Sequence, residues 1–305
     1  MSYRTDISVK IKGAEFKNPV MPASGTYDYF DCNANLFPMS ELGAVMVKSV
    51  HREVRPGNPG PRITEVLGGM INAVGIPSKG IEHFMEHDID KYKALGAPVV
   101  LSLSGSRVEH YIESLRKVDN DKRITAVELN LSCPNVGNGL PFSSDTEVLR
   151  DLVTAARGNT ELPMFVKLTP NVTDIREIAK TTEESGADAI TVSNTFRAMK
   201  IDIKKQKPVL GNISGGMSGP AIKPLNMFLM WQAYTSVSIP IIASGGVACW
   251  QDAVEYILAG ASMVQVGCSN FANPLCMTEV IDGIDKYAYE HGYKSLSEMR
   301  GIAHR

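Results

Sequence analysis

A cysteine lies in a short polar run that could carry proton-transfer chemistry. Cys133 falls within Asn-Leu-Ser-Cys-Pro-Asn at residues 130–135, directly after the apolar stretch Ala-Val-Glu-Leu at 126–129. Because a residue before proline favours extended backbone, Pro134 is expected to turn the thiol out of a strand and into a loop. The thiol is then a candidate base or nucleophile with Asn130 and Asn135 as polar neighbours. The alternative is a small buried apolar side chain, which free cysteine often is.

Two lysines and three glycines add an anion-binding character. Lys48 and Lys167 end runs that otherwise indicate apolar strands, and a buried lysine needs a partner. Either they pair with local carboxylates or reach solvent, or they face an anionic ligand, which we favour. Gly245, Gly246 and Gly267 follow the last two predicted strands, where barrel enzymes bind phosphate through bare backbone N–H groups. Together these residues indicate a phosphorylated cofactor beside a proton-transfer step.

The elements that must position these residues alternate regularly along the chain. Helical apolar spacing separates the predicted strands at residues 145–157, 174–185, 223–237 and 251–258, and Thr173 is a candidate cap for the second of these helices. The eight predicted strands are residues 18–24, 44–50, 98–104, 126–132, 164–169, 189–194, 239–244 and 263–267. This pattern predicts an α/β fold, a (β/α)8 barrel, with site residues in the loops after the strands.

Three further features complete the predicted architecture. Residues 7–16 alternate in polarity and predict a small N-terminal hairpin that closes the bottom of the barrel. Residues 196–222, rich in glycine, form a long insertion after strand six, and such insertions at the active face are usually functional. No linker, repeat or low-complexity tract divides the sequence, so residues 1–305 are expected to form a single domain.

Composition excludes several classes of function. The chain has 305 residues, 44% hydrophobic and 21% charged, with a formal net charge of -2, so neither nucleic acid nor an anionic membrane is an expected partner. The N-terminus has no apolar signal core, and no run is long and apolar enough to span a membrane. Five cysteines without paired spacing predict reduced thiols and a cytoplasmic protein.

One motif points elsewhere but is discounted. His83 and His87 fit the H-x-x-E-H pattern of a zinc protease, with the two rings one helical turn apart. The pattern lies in a predicted outer helix, away from the strand ends, and has no obvious third ligand. We therefore interpret both as surface histidines and predict no metal site.

The ordered set of motifs resembles dihydroorotate dehydrogenase, the flavin enzyme of pyrimidine synthesis, over nearly the whole chain. Each motif alone is weakly specific, but together they are highly specific. The matching runs are residues 130–135, Lys48-Ser49, Asn-Ala-Val-Gly-Ile at 72–76, Lys-Leu-Thr-Pro at 167–170, Asn194-Thr195, Gly-Gly-Met-Ser-Gly-Pro-Ala-Ile-Lys-Pro at 215–224, Ser-Gly-Gly-Val at 244–247 and Gly267.

The resemblance implies bound FMN and oxidation of (S)-dihydroorotate to orotate. Cys133 is implied as the base that takes the proton from C5 of the substrate, while hydride leaves C6 for N5 of the flavin. Lys167 is implied to stabilise the negative charge at the flavin pyrimidine edge, and Lys48 to serve both flavin and substrate. The implied substrate-binding residues also include Asn72, Ala73, Val74, Gly75, Ile76, Asn130, Asn135, Asn194 and Thr195. The implied FMN-lining residues, besides Lys48, Asn130 and Lys167, are Ser24, Ser49, Ser102, Ser193, Gly219, Gly245, Gly246, Gly267 and Cys268.

The resemblance also bears on the class of enzyme. A cysteine base argues against the membrane-bound class, which uses serine. Residues 72–76 and 201–224 look like the class that reduces NAD through a second subunit carrying FAD and a 2Fe-2S cluster, which implies a homodimeric core within a heterotetramer. Ser102, where that class usually has Asn, looks more like the homodimeric class that reduces fumarate, and Cys268 replaces a usual Thr.

Two other functions remain open from the sequence. One is a related flavin reductase that acts on uracil or thymine, although those enzymes usually carry an appended iron–sulfur segment. The other is a catalytically silent barrel that serves as a scaffold for a partner. Bound flavin and its reduction by substrate distinguish the enzymes from the scaffold.

Overall fold

Eight parallel strands form the centre of the molecule. The computed structural model describes residues 4–132 and 142–305. We number the barrel strands 1 to 8 along the chain. They are Val20–Pro22, Val45–His51, Val99–Ser104, Ala126–Asn130, Met164–Lys167, Ala189–Val192, Ile241–Ser244 and Met263–Val266.

The strands are ordered as a barrel that is nearly closed. The order across the sheet is 1-8-7-6-5-4-3-2, so strands 2 to 8 each pair with the next in sequence and strand 8 pairs with strand 1. At the remaining seam, between strands 1 and 2, the Gly43 N–H donates to the Val20 carbonyl over 2.9 Å. The predicted α/β barrel is confirmed, with each strand at its predicted place and several of them shorter.

The strands are buried on both faces, as parallel strands covered by helices must be. Strands 3 and 5 to 8 are buried at every residue, and this accounts for their near-continuous apolar sequence. One large core of barrel and helix side chains results, and a smaller cluster of Ile71, Ala73 and Leu210 lies above it.

The N-terminal hairpin packs at the lower end of the barrel. Val9–Ile11 and Ala14–Phe16 pair antiparallel, as predicted. Phe16 is fully buried, and its ring centroid lies 6.3 Å from that of Phe165, near the start of strand 5. The hairpin therefore closes the end of the barrel opposite to the carboxyl ends of the strands.

Helices cover the outside of the barrel, and none in the described residues is long and apolar enough to cross a membrane. One predicted cap is wrong: the side chain that accepts the Arg176 N–H at the start of Ile175–Glu184 is Asp174, not Thr173. The helices are Ile81–His83, continued by a π-helical turn at Phe84–Asp88 and by Ile89–Ala94, then Val108–Val118, Thr146–Arg157, Ile175–Glu184, Lys223–Tyr234, Trp250–Leu258, Ser269–Ala272, Cys276–Glu290 and Leu296–Met299. Short 3-10 turns occur at Met39–Glu41, Phe142–Ser144, Pro220–Ile222 and Ile302–His304.

The insertion after strand 6 forms part of a small upper sheet above the barrel. This four-stranded antiparallel sheet has the order Phe196–Ala198, Gly215–Ser218, Gly69–Asn72, Ile63–Val66. Two strand pairs flank it, Ile201–Asp202 with Lys207–Pro208 and Val54–Arg55 with Ser78–Lys79. The upper sheet joins residues that follow strand 2 to residues that follow strand 6, and so it covers the carboxyl ends of the barrel strands.

Candidate active site

A cavity of about 410 Å³ lies between the carboxyl ends of the barrel strands and the upper sheet. Strand ends meet there because all eight strands run in the same direction. Most of the site residues expected from the sequence line this cavity. They are Ser24, Lys48, Ser49, Asn72, Val74, Gly75, Ile76, Asn130, Lys167, Ser193, Asn194, Thr195, Gly219, Gly245, Gly246, Gly267 and Cys268.

Lys167 supplies a buried cation at the floor of the cavity. It ends strand 5 and is only 6% exposed. Its Nζ donates to Gln265 Oε1 over 2.7 Å and to Ser244 Oγ over 3.3 Å. Burial lowers the pKa of this ammonium, and the negative charge of Glu128 opposes that shift. The side chain is thus fixed from below while it borders the cavity above.

Glu128 and Gln265 form a layer beneath Lys167 inside the barrel. Both are fully buried. Gln265 Nε2 donates to Glu128 Oε2 over 2.7 Å, and Thr191 Oγ1 donates to the same oxygen over 2.9 Å. Neither residue was expected from the sequence to serve the site, although each interrupts an apolar strand run. A charged or amide side chain within such a run is the signal that could have identified them.

Lys48 reaches the same cavity from strand 2, but it is more exposed than Lys167. Lys48 is the one exposed residue of strand 2. Partial burial of its ammonium still lowers its pKa, with a smaller effect from the positive charge of Arg62. Among the described residues, no carboxylate pairs with it. The left-handed Gly25, with φ +76°, lies against it, since a Cβ there would stand 3.3 Å from Lys48 Cγ.

Neutral side chains form one wall of the cavity. Ser49 Oγ lies 2.8 Å from Ser102 Oγ and accepts from Asn130 Nδ2 over 3.1 Å. Asn194 Nδ2 in turn donates to Asn130 Oδ1 over 3.1 Å, and the Thr195 N–H donates to Asn194 Oδ1 over 2.8 Å. This chain of hydrogen bonds fixes the orientation of each amide, so the wall presents a set pattern of donors and acceptors.

Glycines shape the end of the cavity near strands 7 and 8. Gly246 has φ +74°, and a Cβ there would lie 2.6 Å from the Lys223 side chain, so only glycine fits without displacement. Lys223 pairs with Asp252 over 2.6 Å and with Glu255 over 2.8 Å, and its charge is therefore already balanced. Backbone N–H groups, rather than this lysine, are suited to meet an anion at this end.

The residue that replaces a usual threonine, Cys268, borders this glycine end. Its thiol is partly buried, and burial raises its pKa, so it stays protonated near neutral pH. A neutral thiol adds no negative charge beside an anion, so the replacement does not oppose anion binding at this end.

The upper sheet closes the cavity from above. Asn72 Nδ2 donates to the Gly216 carbonyl over 3.3 Å and so ties the two central strands together at the cavity. Gly75 and Ile76 both have positive φ, +78° and +50°, which turns the backbone of 72–76 over the opening. Ala73 is buried in the small upper cluster and supports this segment from behind.

Two expected site residues in the described part of the chain, Ala73 and Ser102, do not line the cavity. Ser102 is fully buried below the wall and reaches the cavity through Ser49. Cys133 and Asn135 lie outside the described residues. Ser132, the residue before the cysteine, lines the cavity, as do Ser218 and the exposed ring of Phe271, which the sequence did not single out.

Four of the six histidines lie in two groups. His83 and His87 stack with ring centroids 4.5 Å apart, on the outer helical segment predicted for them. Within the described part of the chain, the residues close enough together to share a metal ion are instead His51, Glu53 and His110. Arg107 Nη2 lies 2.9 Å from His110 Nε2, and a guanidinium there disfavours a cation.

Comparison with known proteins identifies the relatives of this chain. A sequence model of the dihydroorotate dehydrogenase family matches residues 6–287. The chain is 44% identical over 297 residues to a protein of Parabacteroides distasonis, with 97% of each chain covered. It is 42% identical over 302 residues to a protein of Desulforamulus reducens, with 99% of each covered. It is 43% identical over 299 residues to one of Alkaliphilus metalliredigens, with 98% of this chain and 99% of the relative covered. All three relatives are named dihydroorotate dehydrogenase B (NAD(+)), catalytic subunit.

Proposed function

The chain belongs to the dihydroorotate dehydrogenase family, and from this premise we propose that it oxidises (S)-dihydroorotate to orotate in pyrimidine biosynthesis. One observation carries the proposal: two lysines, a chain of oriented amides and a glycine cradle border a single cavity. The substrate is an anionic ring that needs cations for its carboxylate and paired donors and acceptors for its amides. The cavity offers both.

The family is flavin-dependent, and the residues present fit FMN as the cofactor. The glycine end, where a Cβ at Gly246 would collide with Lys223, leaves room for backbone N–H groups to approach a phosphate. Ser24, Ser193, Gly219, Gly245, Gly267 and Cys268 would line the remaining cofactor surface. FMN, when bound, supplies the acceptor for the hydride that leaves C6 of the substrate. Lys167 would hold a positive charge beside the flavin pyrimidine edge, where negative charge develops on reduction.

The chain's own residues would orient the substrate. Asn130 and Asn194 are already fixed by hydrogen bonds to Ser49 and to each other, so their free edges need no reorganisation on binding. Asn72 and the backbone of 73–76 would cover the ring and exclude water. Lys48, with Thr195 and Asn135, would meet the polar groups of the substrate.

Proton removal is assigned to Cys133 by its resemblance to the family's base. The C5–H bond breaks, its proton goes to the cysteine sulfur, and the electron pair forms the C5–C6 double bond as hydride leaves C6. We expect Cys133→Ser to bind FMN but to lose most of the flavin-reduction rate, since serine is a poorer base at the same position. Unchanged reduction by dihydroorotate in a stopped-flow experiment contradicts this role. Cys32→Ser, at an exposed cysteine that does not line the cavity, is the matched control for loss of a thiol.

The relatives' names include NAD(+) and describe a catalytic subunit. We propose the same arrangement for this chain: a homodimeric core of single-domain FMN chains, residues 1–305, joined in a heterotetramer to an electron-transfer subunit with FAD and a 2Fe-2S cluster. A cytoplasmic location accords with the free thiols of Cys32, Cys249, Cys268 and Cys276.

A fumarate-linked homodimer is the second candidate, and Ser102 is the observation that favours it. This serine stands below Ser49 where the NAD-linked class usually has Asn. The decisive experiment is anaerobic mixing of the purified flavin-loaded chain with dihydroorotate, then with fumarate or NAD, while flavin absorbance is followed. Bleaching by dihydroorotate that neither acceptor reverses supports the NAD-linked assembly with its partner missing. Reoxidation by fumarate assigns the homodimeric class, and an absence of bleaching refutes the proposed substrate.

A further inference from the structure

A polar connection runs through the interior of the barrel from the cavity floor to a buried carboxylate. Lys167 Nζ donates to Gln265 Oε1 over 2.7 Å, and Gln265 Nε2 donates to Glu128 Oε2 over 2.7 Å. The three side chains come from strands 5, 8 and 4, and all are buried. The connection is therefore a property of the closed barrel and not of any one segment.

The chemistry of the end groups fixes the orientation of the central amide. A lysine ammonium can only donate, and a carboxylate can only accept. If Gln265 were flipped, its NH2 would face the ammonium and its carbonyl would face Glu128, and both contacts would be repulsive. Gln265 can therefore point only its oxygen to Lys167, which ties the cation and the anion together through one oriented dipole.

Glu128 has the hydrogen bonds of an ionised carboxylate. Its Oε2 accepts from both Gln265 and Thr191. Its Oε1 is buried and has no partner among the described residues, so a proton on that oxygen would have no acceptor there. A buried carboxylate without a counter-charge is expensive, and the Lys167 ammonium is the cation that compensates it.

We propose that Glu128, acting through Gln265, is a positioning residue that keeps the Lys167 ammonium charged and directed at the flavin, and so determines how strongly the site favours reduced over oxidised FMN. The inference rests on the proposed function for the identity of the cofactor. The surroundings of Lys167 support it: strands 6 and 7 contribute the uncharged Thr191 and Ser244, and the field of Glu128 opposes the effect of burial on its pKa. Lys48, the other cation of the cavity, adds positive charge and cannot keep Lys167 protonated.

The test compares four variants with the wild-type chain by two readouts that do not depend on turnover. These are the dissociation constant for oxidised FMN and the two-electron midpoint potential of bound FMN, each near neutral pH and at clearly alkaline pH. Glu128→Gln removes the charge but keeps the shape. The double variant Glu128→Gln with Gln265→Glu returns a carboxylate next to Lys167. The double variant Glu128→Gln with Lys167→Met lacks both charges, and Thr191→Val, the control, removes a hydrogen bond from Glu128 but keeps both charges.

In Glu128→Gln we expect the alkaline preference for reduced over oxidised FMN to fall about tenfold, which is about 30 mV for a two-electron couple. The preference of Glu128→Gln at alkaline pH should then equal that of the double variant Glu128→Gln with Lys167→Met, because a neutral lysine carries no more charge than methionine. Near neutral pH the same variant keeps at least the wild-type potential. The carboxylate-restoring double variant and Thr191→Val follow the wild type at both pH values.

Other outcomes overturn the inference. A Glu128→Gln potential that parallels the wild type at both pH values means that Lys167 stays charged without Glu128. If Glu128→Gln does not fold, the carboxylate-restoring double variant still decides, since an alkaline loss there contradicts the proposed role. If the wild-type chain binds no FMN, or if dihydroorotate does not reduce its bound FMN, the proposed function and the inference are refuted together. If the wild type passes both tests and only the potentials of the variants differ from those expected, the inference alone is refuted.

Discussion

Two lysines face one cavity, but the protein holds them in opposite ways. Lys167 is buried, and two hydrogen bonds to Gln265 and Ser244 fix its ammonium above Glu128. Lys48 is exposed, lies beside Gly25, and has no carboxylate partner among the described residues. The fold therefore positions the charge of Lys167 before any ligand arrives, whereas the position of the Lys48 charge is left to the ligand. The first suits a permanently bound cofactor, and the second suits a substrate that enters and leaves.

The largest expected effect is that of Lys167→Met. Loss of a preorganised cation beside the flavin should lower the rate of flavin reduction by dihydroorotate about 10²–10³-fold, the usual effect of removing such a group. It also leaves Glu128 buried without its counter-charge, so the free energy of unfolding should fall by about 3–5 kcal/mol. Stopped-flow reduction and chemical unfolding of the FMN-free chain measure the two effects.

The control for Lys167→Met is Lys93→Met on an outer helix, where lysine is exposed. This substitution should change neither quantity, since surface changes of this kind are usually within about 0.5 kcal/mol. If Lys167→Met were as stable as Lys93→Met, the Lys167 ammonium would not compensate the buried charge of Glu128.

Lys48→Met should act on the substrate and spare the fold. We expect the KM for dihydroorotate to rise about tenfold to a hundredfold, as for loss of one hydrogen bond to a charged group, with stability nearly unchanged. Partial burial lowers the pKa of Lys48, so its ammonium loses its proton at a lower pH than that of a free lysine. In the wild type, KM should therefore rise as the pH increases through this lowered pKa.

The pH profile of KM is the measurement that isolates Lys48. In Lys48→Met the rise at alkaline pH should disappear, because KM is already high at neutral pH. A variant whose KM still rises over the same pH range would assign the titration to another group and would remove the distinction between the two lysines.

Sequence reasoning located both lysines, but it could not show how differently the fold holds them. Strand-end positions follow from the alternation of apolar runs and helical segments, and parallel strands bring such ends together. Which side chains meet inside the barrel depends on the relative stagger of strands far apart in sequence, and no local pattern encodes it. Gln265 therefore gave no sign that it bridges Lys167 and Glu128, although both polar residues stood out within apolar runs.

The same limit applies to the wall and to the helix cap. Ser102 was expected to line the cavity, and only the packing of strands 2 and 3 places it below Ser49. Thr173 and Asp174 are both good capping residues, and the choice depends on where the first helical turn begins, which sequence locates poorly. The side chains at the strand ends could be predicted to meet because the topology of the barrel alone brings them together. Contacts that depend on the register between strands could not be predicted.

The smallest expected effect tests whether the freedom of Lys48 matters. Gly25→Ala introduces a Cβ that would lie 3.3 Å from Lys48 Cγ, at a backbone with φ +76°. Gly13→Ala is a matched control, with φ +81° and nothing within 4 Å of the added Cβ. Each should lose about 1–2 kcal/mol of stability from the left-handed backbone. Only Gly25→Ala should raise the KM for dihydroorotate, by a few-fold, because only there does the new methyl group restrict the lysine. Equal KM values in the two variants would show that Lys48 needs no such room, and its looser position would then have no consequence for substrate binding.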